Sequence, residues 1–337
     1  MQLDSHCRNI IVIGASAGGV EALRSLFRSL PSDLPAAFLV VLHIPPHSPS
    51  ELGRILARET SMKVISVQAN QPLKTSTVYV ASADHHLLVT KEGVRLTRGP
   101  KECRVRPAID VLFRSASMAY DSRVIGVILT GALDDGTAGL WAIKDRNGTA
   151  LVQDPSEATY DSMPRSAIEH VETDFVGTLT ELANQIATRV RLPIKQLATR
   201  PLNERHLIET SISENGNGLE AGVMSIGNIS SYTCPDCHGV LVQIEEGSIV
   251  RFRCHTGHAF SIKTLIAEIN AAIDTGLWDA LRAVEERILL LRQMGDLAEA
   301  QGSKKDAERS RFRAKDAEDR LKPLRELILD PDFFRTS

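Results

Sequence analysis

The sequence has no run of about eighteen apolar residues, the length at which a helix begins to span a bilayer. It also has no basic stretch leading into an apolar one at its start, where Met1-Gln2-Leu3-Asp4-Ser5-His6 is mixed and polar. Membrane insertion and export are therefore not expected, and a cytoplasmic protein is. Charge of one sign is missing too: 39 Lys and Arg stand against 42 Asp and Glu, a net charge of -3, so nothing marks the chain for nucleic acid or an anionic membrane. Cysteine is sparse and uneven. Of five, Cys7 and Cys103 stand alone while Cys234, Cys237 and Cys254 cluster, which suits a metal site in a reducing compartment better than a disulfide framework. What remains is an ordinary globular composition, 43% hydrophobic and 24% charged over 337 residues, enough for two or three domains.

From Asn9 to about Arg191 apolar runs alternate with amphipathic stretches: Ile10-Ile11-Val12-Ile13, then Val20 to Leu30, then Phe38-Leu39-Val40-Val41-Leu42. This is the pattern of an α/β fold, a mainly parallel, doubly wound sheet covered by helices. Lys63 to Val67, Val78-Tyr79-Val80, Val124 to Leu129 and Thr149 to Val152 read as further buried strands, and Pro107 to Tyr120 and Thr178 to Val190 as helices. Val78 to Val80, Leu87 to Thr90 and Val94 to Thr97 are short, and Lys91-Glu92-Gly93 between the last two predicts an antiparallel hairpin insert. Residues 192–230 turn polar and rich in Gly, Pro and Asn, as in Glu214-Asn215-Gly216-Asn217-Gly218, and read as a flexible linker between independently moving parts. The expected division is thus 1–191, a linker, a Cys/His-rich segment at 231–261 and a helical tail at 262–337.

Gly14-Ala15-Ser16-Ala17-Gly18-Gly19 follows one strand and opens a helix, so Ser16 falls at the carboxyl edge of the sheet with small neighbours that let a carbonyl approach. Taken alone, such a serine is as readily a helix N-cap, and the segment also resembles a worn dinucleotide loop. The second strand argues against a nucleotide. It ends in His43 where a ribose-binding acid belongs, and so brings a general base to the same edge. The strand Val124 to Leu129 then leads into Thr130-Gly131-Ala132-Leu133-Asp134-Asp135-Gly136, which delivers a carboxylate to that edge. A Ser, His and Asp set of this kind supports nucleophilic acyl transfer, with the acid fixing the tautomer of the base. Asp134 and Asp135 compete for that role, Asp134 alternatively serving as a helix cap. His47, His85 and His86 have no comparable partner pattern, and Arg104 and Arg106, just before the helix at Pro107, read first as solvated surface residues and second as contacts for acidic receptor helices.

These segments, with Gln153-Asp154-Pro155 and Ser162-Met163-Pro164, resemble the catalytic domain of the chemotaxis protein-glutamate methylesterases over Ile11 to about Val190. The resemblance implies Ser16 as nucleophile, His43 as general base and acid and Asp135 as orienting acid. It further implies hydrolysis of glutamyl methyl esters on chemoreceptor helices and deamidation of receptor glutamines, with no cofactor for catalysis. Backbone amides near the Ser16 turn or the Ala132-Leu133 loop are the expected oxyanion donors. Family members often carry a receiver domain ahead of this one. With the first strand beginning by Ile10, none is expected here. A noncatalytic adaptor that keeps the fold for receptor or kinase binding is the reading from another class.

Cys234-Pro235-Asp236-Cys237 and Arg253-Cys254-His255-Thr256-Gly257-His258 flank two strand-like runs, the spacing of a structural zinc ribbon. Cys234, Cys237 and Cys254 are the firm ligands. His258 is preferred as the fourth because His255, adjacent to Cys254, would strain the chelate. In the tail, Leu281, Val284, Ile288, Leu291, Met294 and Leu297 recur at helical spacing, and a second stripe runs through Phe312, Ala317, Leu321, Leu324 and Leu327. An antiparallel hairpin follows, read first as a packed or self-associating structural element, with docking of a signalling partner as the alternative.

Overall fold

In a computed structural model the described residues are 6–47, 50–194, 201, 203–330 and 332–333. They divide into two compact units, Met1–Thr264 and Leu265–Ser337. The first unit opens with β1 (Ile10–Ala15), α1 (Gly19–Ser29), β2 (Ala37–Leu42), α2 (Leu52–Glu59), β3 (Lys63–Ser66) and β4 (Thr77–Val80). A hairpin of β5 (His86–Thr90) and β6 (Gly93–Thr97) precedes α3 (Ile109–Tyr120), β7 (Val124–Ile128), α4 (Thr137–Asp145) and β8 (Thr149–Gln153). The series closes with α5 (Ser162–His170), β9 (Phe175–Gly177) and α6 (Leu179–Arg189).

Seven strands form one sheet in the order β3-β4-β2-β1-β7-β8-β9, and each recorded pairing is parallel. Strands β1, β2 and β7 are buried along their whole length because helices cover both faces, which is why they read as unbroken apolar runs. Ile11, Ile13, Phe38 and Val40 pack beneath α1 and α6, while Ile10, Val12, Leu39 and Val41 face α3 and the hairpin, the strict alternation a strand imposes. Helix α6 begins with a capping box between Thr178 and Glu181, the local signal that fixes its start. The hairpin forms as expected, and of the two placements open to Val78 to Val80 the structure takes the buried strand of the parallel sheet, between β2 and β3.

Residues 192–230 depart from the linker reading. Positions 195–200 and 202 lie outside the described residues, but α7 (Glu204–Asn215) and α8 (Gly218–Ala221) occupy the rest of the stretch, and the first is capped by the Asn203 side chain. Helix α7 buries His206, Glu209, Ile212 and Ser213. A four-stranded antiparallel sheet follows, β10 (Asn228–Thr233), β11 (Val240–Glu246), β12 (Ile249–Cys254) and β13 (Ala259–Ser261). It belongs to the same compact unit as the parallel sheet, so the expected independent movement is not what the fold provides.

What joins the two sheets is a buried ionic cluster. Glu209 takes paired hydrogen bonds from Arg251 at 2.7 and 2.9 Å and further ones from Arg253, whose guanidinium also reaches Glu102 at 2.7 Å. Arg114 of α3 donates to the same Glu102 at 2.7 Å, and Glu246 binds Arg251 and His206. Three guanidiniums meet three carboxylates. Burial raises each acid, but the facing arginines outweigh it and hold Glu102 and Glu246 down at about 2 and Glu209 well below the usual carboxylate range. Arg251 and Arg253 are two apart on β12 and so face the same side, toward α7.

The second unit contains most of α9 (Ile262–Ala300) and α10 (Lys304–Leu329). Its helices pair Glu285 with Arg325, Arg292 with Glu318 and Glu299 with Arg311, so one number rises as the other falls and the hairpin is antiparallel. The seam differs from the sequence stripe: Ala307, Ala314, Leu321 and Ile328 are buried at seven-residue spacing, while Phe312, Met294 and Leu297 are exposed. Small alanines let the helices approach, a role that hydropathy alone undervalues. No described helix is long and apolar enough to cross a membrane.

Candidate active site

The strand order puts three carboxyl ends side by side, β2, β1 and β7, and each carries one member of the set expected from the sequence. Ser16 follows β1 in the centre. Its amide donates to Thr130 O at 3.0 Å, and the His43 amide donates to Ala15 O at 3.1 Å, which ties the neighbouring strand ends to it. The chain then turns into α1 through Gly18, whose φ of 74 lies in the left-handed region that glycine enters without strain. At Gly131 a side chain would collide with Met163 Sδ and with Ser16 Cβ, so glycine is what lets the loop after β7 pass over the serine.

His43 Nδ1 lies 3.1 Å from Ser16 Oγ, and Nε2 lies 2.7 Å from Asp135 Oδ2. An ionised carboxylate only accepts, so Nε2 carries the proton toward Asp135 and Nδ1 is left to accept from the serine hydroxyl. Asp135 is held from behind: Ile109 N donates to Oδ2 at 2.7 Å and Asp110 N to Oδ1 at 3.1 Å, both from the first turn of α3. Exposure grades outward, from 3% for the Asp135 side chain to 13% for His43 and a half-buried Ser16. The buried end fixes orientation and the open end meets solvent. Of the two competing acids, Asp135 reaches the imidazole, whereas Asp134 accepts a hydrogen bond from Ser261 Oγ at 2.7 Å and is pushed above its ordinary range by burial.

Among the supporting residues, Asp110 went unread in the sequence, while Gln153 and Leu133 are named there without the roles they take here. Asp110 Oδ1 accepts from Gly136 N and Gly139 N at 3.0 and 2.6 Å, which positions the loop that carries Asp135; burial, and then the Asp135 charge, drive its carboxyl well above the usual range. Gln153 accepts from Thr130 N at 2.8 Å and steadies the other end of that loop. Leu133 adopts φ 63, a strained conformation for a branched side chain, one residue from Asp134. His86 is fully buried between Pro100 O and Ala108 N, and burial lowers it to about 4, so it braces the chain leading into α3 as a neutral group. Cys103 lies with Asp110 and Asp135 in a buried trio, but the Asp135 oxygens are already taken by His43 and two amides, and burial keeps the thiol protonated.

The second expected cluster also assembles. Ligand atoms of Cys234, Cys237, Cys254 and His258 all lie within 4.8 Å of one another. Cys237 and Cys254 sulfurs are 3.6 Å apart, and His258 Nδ1 is 3.7 Å from Cys234 Sγ and 3.6 Å from Cys254 Sγ. These are close to the edges of a tetrahedron built with Zn–S near ~2.3 Å and Zn–N near ~2.0 Å, about 3.5–3.8 Å. The hydrogen bond from Cys234 above all, with those from His258 and Thr256, lowers Cys254, while the same bond and burial raise Cys234, as sulfurs packed this closely act on one another in opposite senses. His255 instead lies against Gly239, away from the cluster.

Comparison with known proteins agrees with this architecture. Residues 11–186 match the family model for CheB methylesterase. A protein of Leptospira interrogans is 41% identical over 174 residues, 51% of this chain and 90% of its own length. The protein-glutamate methylesterase/protein-glutamine glutaminase 2 of Methanosarcina mazei is 35% identical over 192 residues, and the match spans 52% of that protein. Among solved structures, the Thermotoga maritima CheB methylesterase catalytic domain aligns with TM-score 0.52 and 32% identity, over 53% of this chain and 97% of that one.

Proposed function

The chain belongs to the CheB methylesterase family, and from that premise we propose that Ser16, His43 and Asp135 hydrolyse glutamyl methyl esters, and deamidate glutamines, on chemoreceptor helices. The observation that carries this reading is the continuous hydrogen-bonded chain from Asp135 through His43 to Ser16, at 2.7 and 3.1 Å. Ser16 Oγ attacks the side-chain carbonyl carbon as its proton passes to His43 Nδ1. Asp135 stabilises the imidazolium and holds the ring in place. Collapse of the tetrahedral intermediate breaks the bond to the leaving oxygen, or nitrogen for a glutamine, and His43 returns its proton to release methanol or ammonia. A water molecule, deprotonated by the same imidazole, then attacks the acyl-serine and frees glutamate. The Ser16 amide is already engaged with Thr130, so the oxyanion donors are the amides just after it, Ala17 and Gly18, at the N-terminus of α1.

Zinc is the proposed occupant of the Cys/His cluster, held by Cys234, Cys237, Cys254 and His258. Four protein ligands leave no open coordination position, so its role is to stabilise a small sheet and it takes no part in the chemistry. Methanol release from a glutamyl methyl ester peptide tests the activity: Ser16→Ala is expected to lose at least ~10³-fold. Equal rates for the two proteins would sink the esterase reading, and binding without turnover by either would point to an adaptor. Metal analysis of the purified full chain tests the zinc.

A further inference from the structure

The turn that presents Ser16 has a defined type. Gly19 N donates to Ser16 O at 2.8 Å, closing a four-residue turn, and Gly18 at its third position has φ 74 and ψ -4. Ala17 at the second position does not have a positive φ, which excludes the type I′ turn and leaves type II. In a type II turn the middle peptide is turned over relative to the commoner type I, and glycine takes the third position without strain. That peptide joins Ala17 to Gly18, and its N–H is one of the two proposed oxyanion donors. Which way it faces decides whether the donor meets the oxyanion at all.

We propose that Thr130 is the positioning residue of the oxyanion site, its hydroxyl holding the Ala17 carbonyl so that the Gly18 N–H faces the reacting oxygen of the substrate. It rests on the esterase reading above and adds the group that sets the geometry of the oxyanion site.

Thr130 Oγ1 lies 3.0 Å from Ala17 O and 3.2 Å from Tyr160 O, and accepts from Tyr160 N at 2.9 Å. A hydroxyl has one proton to give. Tyr160 O is farther and already takes Gly131 N at 2.9 Å, so the proton goes to Ala17 O. The C=O and N–H of a trans peptide point in opposite directions, so a carbonyl drawn toward Thr130 turns the Gly18 N–H away from it. Thr130 lies just beyond β7 and His43 just beyond β2, on opposite sides of β1. The N–H is thus directed to the side on which His43 meets Ser16 Oγ. Thr130 is itself fixed: it is buried, its amide donates to Gln153 at 2.8 Å, and its carbonyl accepts from Ser16 N at 3.0 Å. One residue therefore grips the nucleophile turn at both Ser16 and Ala17. Turning the Ala17–Gly18 peptide over would leave the Thr130 hydroxyl only its longer, shared contact with Tyr160 O, so the free protein already holds the orientation the reaction needs.

The test compares Thr130→Val, which keeps the shape and removes the hydroxyl, with Thr130→Ser, which keeps the hydroxyl. With a glutamyl methyl ester peptide the valine variant is expected to lose about 10- to 100-fold in kcat while KM changes by less than about twofold. The serine variant is expected to stay within about threefold of wild type. Thr130→Ala stands in if the valine variant does not fold by circular dichroism. A second readout needs no ester. An alkyl fluorophosphonate reacts with the serine itself: Ser16 Oγ bonds to phosphorus, fluoride leaves, the proton passes to His43, and the phosphoryl oxygen occupies the oxyanion site. The rate of Ser16 labelling is expected to fall by a similar factor in the valine variant and to recover in the serine variant. That pattern supports Thr130 even where the wild type releases no methanol, an outcome that counts against the glutamyl ester as substrate alone. Equal rates for wild type and valine variant, a loss confined to KM, or equal losses for valine and serine overturn the role of the hydroxyl and leave the esterase reading standing. A wild type that neither releases methanol nor is labelled at Ser16 overturns both.

Discussion

The Ser16–His43–Asp135 edge and the Cys234–Cys237–Cys254–His258 cluster both bring distant chain segments to within hydrogen-bonding or coordination range, but they do it with opposite resources. The first draws on a seven-stranded sheet with apolar cores on both faces, so three strand ends arrive in register before any polar contact forms. The second sits on a short antiparallel sheet that is joined to the rest of the unit by the buried ionic cluster of Glu102, Glu209, Glu246, Arg114, Arg251 and Arg253. One leaves an end open for a reacting atom; the other closes on itself. The lesson is that reactivity here is placed where the fold is most over-determined, while the small sheet is tied on by charge.

The sharpest way to break this comparison is at the buried end of the open site. Asp135→Asn retains size but puts an amide donor in place of one of the two oxygens that accept from Ile109 N, Asp110 N and His43, so the imidazole loses its charged partner, and kcat is expected to fall by ~10³-fold or more with the fold intact by circular dichroism. Asp134→Asn, in contact with Ser261 and not with the imidazole, is expected to cost less than about tenfold. A reversal of these two outcomes in a methanol-release assay would move the acid by one residue.

Next in size is the ionic cluster that ties the two sheets. Arg253→Met removes one of three guanidiniums and leaves Glu102 and Glu209 buried with less compensation, an expected loss of ~3–5 kcal/mol in urea unfolding. A loss under about 1 kcal/mol would mean that the charges are tolerated and tie nothing.

That cluster is also where the sequence was least legible. A parallel α/β pattern places strand ends along one edge, so Ser16, His43 and Asp135 were readable as a set; the order β2-β1-β7, which makes them adjacent, was not. The Cys-x-x-Cys spacing made the second cluster readable for the same reason, since soft ligands seldom occur so close by accident. Helix α7 was misread because its buried positions are filled by His206, Glu209 and Ser213 with Ile212 alone apolar, so its inward face looks like a solvated one. Only the partner arginines on β12 and α3 explain it, and they lie far away in the chain. The tail seam was legible through Leu281, Ile288, Ala317 and Leu321, but Ala307, Ala314 and Ile328 were missed and Met294, Leu297 and Phe312 lie outside it.

A smaller effect separates the sheet core from its polar braces by pH. His86, lowered by burial to about 4 from an ordinary 6.5, is neutral in the folded protein and protonates readily in the unfolded one. Its contribution is therefore complete above pH 6.5, declines as pH falls toward 4, and changes no further below that. Buried Asp110, raised well above its usual range, acts in the opposite sense over part of that window, so the two must be separated by mutation. The stability difference between wild type and His86→Gln is expected to shrink by up to ~3 kcal/mol between pH 7 and pH 4, read by urea unfolding. A difference that stays constant with pH would show His86 to be charged or exposed.

The smallest expected effect tests whether the closed cluster reaches the open one at all. His258 is followed by Ala259, whose amide and carbonyl hold Lys101 and Cys103, and Ser261 two residues on donates to Asp134 beside the triad acid. On the proposed zinc coordination, His258 would fix the start of a short strand that clamps both the loop walling a cavity next to His43 and the loop that carries Asp135. Chelation, or Cys234→Ser, is expected to release bound zinc, to speed hydrogen exchange at residues 101–103, and to lower kcat/KM by about tenfold, since a displacement of about an ångström near reacting groups costs rate without abolishing it. The triad's own contacts come from the parallel sheet and remain, which is why the loss should fall well short of that for Asp135→Asn. Metal-free protein with unchanged exchange at 101–103 and unchanged turnover would mean that the small sheet is held by its ionic cluster alone and that the Cys/His centre stabilises nothing beyond itself.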